Sequence, residues 1–194
     1  MIESSLIIAL YGFSFINKVM GSTSRKIWTI GHSTHSFQVF LEMLQSFEIE
    51  MLVDIRRHPG SRKYPQFNQD VLSECLQEHH INYIYLKDLG GRRKAKPNSH
   101  NIAWRNASFK GYADYMETGE FKGAAEILEQ LAEEANVAFM CSEAVWWRCH
   151  RSLVADYLKI RGWNVMHIMG VGKETQHPYT SAATVTDGLL SYQD

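Results

Sequence analysis

From residue 27 to residue 168 the chain alternates short apolar runs with longer stretches whose apolar residues recur at helical spacing. Residues 27–31 (IWTIG), 51–55 (MLVDI), 82–86 (NYIYL), 137–140 (VAFM) and 165–168 read as five strands. Residues 36–48 carry Phe37, Phe40, Leu41, Leu44 and Phe47 on one helical face, with Ser36 as N-cap. A second helix over 69–79 has Asn68 as its cap candidate, and two more follow near 109–117 and 120–135. A helix from about 148 to 161 is stopped by Gly162. Short apolar strands separated by helices predict an α/β fold. Its sheet is single, open and mostly parallel, of about five strands, with helices on both faces.

The flanks read differently. The apolar run over 2–16 is too short and too interrupted to span a bilayer, and Glu3 stands where a leader would carry basic residues. Residues 1–24 are therefore set apart as an N-terminal extension, either a loose helix or a start upstream of the native one. Residues 25–170 form the α/β domain, and 171–194 read as a polar, unstructured C-terminal tail. Inside the domain, the polar segment 87–107 is longer than an ordinary strand-to-helix connection; it is either a lid over a site or plain surface loop.

A chain of 194 residues fits one domain. Its 20 basic and 21 acidic residues leave a net charge of -1, so nucleic acid or membrane would have to be met by local patches. Three cysteines, an odd number without framework spacing, point to a reduced, cytoplasmic setting.

Ligands of open α/β sheets bind beyond the C-terminal ends of the strands. The first strand releases Gly31, His32 and Ser33 there; the second carries Asp54 and ends in Arg56; the third leads to Gly90, Gly91 and Arg92. The fourth ends in Cys141-Ser142-Glu143, and its loop returns through Trp146-Trp147-Arg148 to Cys149-His150-Arg151. Four strand ends thus deliver polar or glycine residues to one rim.

The segments TIGHS (29–33), VDIRRHPGSR (53–62), LGGR (89–92) and CSEAVWWRCHRSLVADYL (141–158) resemble, in order and spacing, the domain-of-unknown-function family DUF488. The resemblance spans roughly residues 27 to 168. It implies a cytosolic, prokaryotic-type α/β protein with an enzymatic site and leaves the reaction open.

Among the rim residues, Cys141 would gain thiolate character from a helix dipole and from Arg148 or Arg151, as a nucleophile needs; a buried, packing cysteine is the alternative. It fits no familiar thiol-enzyme loop: a phosphatase-like loop wants arginine six positions on, where Trp147 stands, and a rhodanese-like cradle is absent. Glu143, set against Trp146 or Trp147, would suit general acid–base work, or else holds the loop in an ion pair. His150 and His32 are further acid–base candidates. Arg56, Arg92 and Arg151 could converge on a phosphate or carboxylate, with Gly31, Ser33, Gly90, Gly91 and Trp147 shaping the pocket. Asp54 and Cys149 are expected to orient rather than react.

No cofactor is expected, because neither phosphate-binding glycine fingerprint occurs, and no metal, because Cys-x7-Cys-His is not a zinc spacing. The basic stretch 87–96 and the aromatics Trp104, Tyr112, Tyr115, Trp146 and Trp147 keep a nucleotide or nucleic-acid partner open. Two expectations result: an enzyme for a small anionic substrate, using Glu/His acid–base chemistry and a Cys141 that attacks or packs, or a non-catalytic binding module using the same rim.

Overall fold

A computed structural model describes residues 25–193; the expected extension over 1–24 lies outside the described residues. Six strands form one sheet in the order β3-β2-β4-β1-β5-β6. Five are parallel: β1 (Lys26–Gly31), β2 (Met51–Asp54), β3 (Asn82–Tyr85), β4 (Val137–Cys141) and β5 (Asn164–Gly170). The sixth, β6 (Lys173–Gln176), runs antiparallel along β5.

Alternate strand residues feed two cores. On one face, α1 (Phe37–Gln45) and α2 (Gln69–Glu78) pack Phe40, Leu41, Leu44, Leu72 and Leu76 against Trp28, Ile30, Leu52, Ala138 and Met140. On the other, α3 (Ala107–Met116), α4 (Gly119–Glu134) and α5 (Arg151–Ile160) cover Ile27, Val53, Val137, Phe139 and Val165. Burying both faces of each central strand is what its continuous apolar run requires.

Capping follows the sequence in part. The Ser36 side chain accepts from the Val39 amide at 3.3 Å, as expected of an N-cap. Asn68 stands at the N-cap of α2 but makes no capping bond; its Oδ1 accepts from the Ser61 amide at 2.6 Å and shapes the loop after β2 instead. The last helix starts at Arg151, not near 148, because Trp146–Arg148 closes a separate 3-10 turn.

The segment read as an unstructured tail is part of the fold. Besides β6 it forms a hairpin of β7 (Thr184–Thr186) and β8 (Leu189–Ser191), whose turn residues Asp187 and Gly188 both have positive φ (51° and 75°), the pairing that tight hairpins favour. Its anchor is Asp156 on α5, buried and saturated. One carboxylate oxygen accepts from His177 Nε2 (3.0 Å) and the Thr180 amide (2.9 Å); the other accepts from Thr180 Oγ1 (2.6 Å) and the Tyr192 hydroxyl (3.0 Å).

The long polar segment is also ordered. On α3, Asp114 accepts from the Lys96 amide, Ser99 Oγ and Asn101 Nδ2. Gly111 permits the crossing, because a Cβ there would come within 2.4 Å of the Arg93 carbonyl.

Chain connections from β1 run toward β2, and those from β4 run toward β5, so the winding reverses between these two central neighbours. Gly31 and Cys141 lie opposite each other at that reversal. This is where such sheets leave a crevice.

Candidate functional site

A cavity of about 670 Å³ opens at these strand ends. Its lining includes Arg56, Arg57, Arg92 and Arg148, with Glu143 as the one carboxylate among the described residues. His32, Ser33, Cys141, Cys149, His150 and Gly91 also face it.

The β2 end supplies the most rigid cation. Arg56 is buried and donates from Nε to both Asp54 oxygens at 2.9 and 3.0 Å and from Nη2 to Oδ2, while the Tyr83 hydroxyl donates to the same carboxylate at 2.7 Å. Asp54 therefore fixes the direction of the Arg56 guanidinium. Nη1 of Arg56 remains, 3.5 Å from Nε2 of His32. His32 faces the Ser33 carbonyl with Nδ1 at 2.9 Å and stacks on Phe67 at 4.2 Å. A carbonyl only accepts, so Nδ1 carries the proton and Nε2 offers its lone pair to Arg56. Burial, reinforced by the Arg56 charge, lowers the imidazole to about 4. His32 is thereby a neutral wall that aims Arg56, an arrangement that does not favour acid–base work.

Arg151 was expected on the anion. Its guanidinium, 1 % exposed, instead points under the β4 loop: Nη1 donates to Thr29 Oγ1 at 3.1 Å and Nη2 to the Glu143 carbonyl at 2.7 Å, while Nε has no partner. Gly31 makes room for this, since a Cβ there would fall 1.8 Å from the Glu143 carbonyl oxygen. Arg151 is thus a brace, and it is not among the lining residues. The cations that do line the cavity beside Arg56 and Arg92 are Arg57 and Arg148. Neither stood among the expected binding residues, although both sit in the strand-end loops already singled out. Gly90 is also outside the lining and serves packing: its Cβ would crowd the Lys87 carbonyl at 2.8 Å and Arg57 Cα at 2.9 Å.

Glu143 is exposed and its carboxylate makes no hydrogen bond or ion pair among the described residues, so the expected burial against tryptophan is not found. Trp146 stacks on His167 at 4.3 Å, and Trp147, 51 % exposed, meets Trp146 edge-on and does not line the cavity. Of the other aromatics, Tyr112 is buried, its hydroxyl donating to the Leu89 carbonyl at 2.6 Å, and Trp104 packs against the α3–α5 core. Most of the rings considered for base stacking are therefore occupied by packing.

At the cavity floor, His150 Nδ1 lies 3.8 Å from Cys141 Sγ and 3.6 Å from Cys149 Sγ, and Nε2 lies 3.1 Å from the Ile55 carbonyl. The carbonyl fixes the proton on Nε2 and turns the Nδ1 lone pair toward both sulfurs. With its ring so employed, His150 gives α5 no side-chain cap. Hydrogen bonding to Cys149, with burial, pushes Cys141 up to about 12. Burial alone would raise Cys149, but the bond from Cys141 and the Arg151 charge bring it down to about 7. The lowering that a thiolate needs, expected at Cys141, is at Cys149 instead. The three donor atoms all lie within 4.8 Å of one another. The expectation of no metal rested on sequence spacing, and the turn at 146–148 folds that spacing into a cluster.

Among the described residues, no helix is long and apolar enough to cross a membrane. Residues 36–158 match the family model described as "Domain of unknown function DUF488". No curated protein and no solved structure matches the chain. The chain belongs to the DUF488 family.

Proposed function

We propose that this DUF488 chain is an enzyme for a small substrate bearing a phosphate or carboxylate, held in the strand-end cavity with Glu143 positioned for proton transfer. One observation carries the reading: four arginines and a single carboxylate line the cavity. Guanidinium groups match such anions with planar, charge-assisted hydrogen bonds. Arg56 offers a pre-aimed Nη1, because Asp54 and His32 fix its orientation. Arg92 and Arg148 are exposed and free to close on the ligand. Glu143 is unpaired, so its carboxylate remains available to a substrate proton. His150 faces the two thiols, which leaves Glu143 as the acid–base group of this reading.

The test is a calorimetric titration with inorganic phosphate, followed by a turnover screen over phosphate esters and carboxylate esters. Phosphate should bind, and Arg92→Ala and Arg148→Ala should each weaken it by about tenfold, the size of one charge-assisted hydrogen bond. Glu143→Gln should abolish turnover while leaving phosphate affinity nearly intact. Affinity indifferent to both arginine variants sinks the anion pocket. Binding of nucleotides or single-stranded nucleic acid, with no turnover of any ester and no effect of Glu143→Gln, replaces the enzyme by a binding module at the same rim.

A further inference from the structure

The anion-binding reading leaves Cys141, Cys149 and His150 unused, although all three line the cavity. Their geometry suits a metal ion. Tetrahedral zinc, with bonds of about 2.3 Å to sulfur and about 2.0–2.1 Å to nitrogen, sets S and N about 3.6 Å apart. The observed Nδ1-to-Sγ separations are 3.8 and 3.6 Å, and the two sulfurs, within 4.8 Å of each other, must draw together to the about 3.8 Å of a tetrahedral site as the metal enters.

The imidazole is held for ligation as well as placed for it. Its Nε2 donates to the Ile55 carbonyl, the backbone partner that ligating histidines commonly take, and this keeps the lone pair on Nδ1. The Tyr112 ring packs 5.0 Å from it. On the remaining side Gly91 closes over the ring, where a Cβ would come within 2.9 Å of Nδ1. Two thiolates and one imidazole are soft and borderline donors, which select zinc-class ions over magnesium or calcium. Three protein ligands with a fourth position open to a cavity is the arrangement of catalytic rather than structural zinc.

We propose that Cys141, Cys149 and His150 bind one zinc-class divalent cation whose fourth coordination position opens into the arginine-lined cavity. Binding forms two metal–sulfur bonds and one metal–nitrogen bond and releases the remaining thiol protons to solvent. The ligand set stands on its own geometry; only the expectation that an anion or water fills the fourth position rests on the proposed function.

Cobalt(II) is the probe, added to metal-free, reduced full-length protein without oxygen. Saturation is expected at one equivalent, with intense visible bands of tetrahedral cobalt and a near-ultraviolet thiolate-to-cobalt band, both bleached by zinc. Cys141→Ser and Cys149→Ser should each lose the thiolate band or weaken it strongly, and Cys75→Ser should keep it. A second readout needs no variant to fold: in the wild type, zinc should slow alkylation of Cys141 and Cys149 on the order of tenfold and leave Cys75 unchanged, read by peptide mass spectrometry. Absence of the thiolate band, or alkylation of Cys141 and Cys149 indifferent to zinc, overturns the proposal. Phosphate titration of the metal-free protein separates the two readings: phosphate affinity without cobalt binding removes the metal site alone, and cobalt binding without phosphate affinity removes the anion pocket alone.

Discussion

Helix α5 presents two buried polar centres that behave oppositely. Around Asp156, both carboxylate oxygens are met by two donors each, and His177 passes the chain of bonds on to His167 at 2.8 Å. None of these residues lines the large cavity. Just before its first turn, Cys149 and His150 meet Cys141 of β4; the two sulfurs make only long contacts, to His150 Nδ1 and, for Cys141, to Ser142 Oγ, and all three residues line the cavity. Polar richness alone therefore does not mark a site. A saturated network fixes a fold, whereas donors with unfilled valence beside a cavity are available to a ligand.

The strongest way to break this comparison is Asp156→Ala. It leaves His177, Thr180 and Tyr192 without their shared acceptor, and unfolding in urea should show a loss of about 3–5 kcal/mol. The folded fraction should bind phosphate as the wild type does; wild-type stability would show that the node holds nothing.

Next in size is Arg151→Lys, which cannot reach both Thr29 and the 143–144 carbonyls at once. A loss of about 2 kcal/mol is expected by the same measurement. If stability is unchanged and only phosphate affinity falls, Arg151 is a ligand contact after all.

Acidification gives a third effect, smaller per pH unit. Burial, with the charges of His177 and Arg151, lowers His167 to about 2 from its ordinary 6.5. Below pH 6.5 the unfolded chain takes up a proton at this position and the folded chain does not. Stability is thus fully present above 6.5 and falls as pH drops, by up to about 1.4 kcal/mol per unit. Urea midpoints between pH 7.5 and 4.5 should show this slope, and His167→Gln should flatten it by one proton's worth.

Smallest is the effect of Glu143→Gln on stability, which should stay within about 0.5 kcal/mol because the carboxylate is exposed and unpaired. A larger loss would place Glu143 with Asp156 as a structural group.

The same contrast explains what the sequence could and could not reveal. The five parallel strands and their helices were legible because burial on both faces demands continuous apolar runs, as in 137–140. Residues 171–193 were not, because polar residues hold them: His177, Thr180 and Tyr192 look like surface positions until Asp156 is placed beneath them. Asp187-Gly188 was a usable hairpin signal, but Thr184–Thr186 is too short to announce a strand. At the site, the rim followed from strand-end position alone, whereas the direction of each guanidinium did not. Arg56 and Arg151 look alike in sequence; Asp54 turns one toward the cavity, and the space above Gly31 turns the other away.

Synthesis from the N-terminus gives the Asp156 node a consequence in time. The strand that completes the parallel sheet, β5, ends at Gly170, yet the Tyr192 hydroxyl that Asp156 needs comes 36 residues after it in the chain. Until then a nascent chain with all five parallel strands made holds a carboxylate short of donors on the face α5 must bury. The helix that starts immediately after Cys149 and His150 is therefore among the last elements to lock down. A protease should cut within α5 of a released chain truncated just before Thr180 and spare the chain that extends past Tyr192.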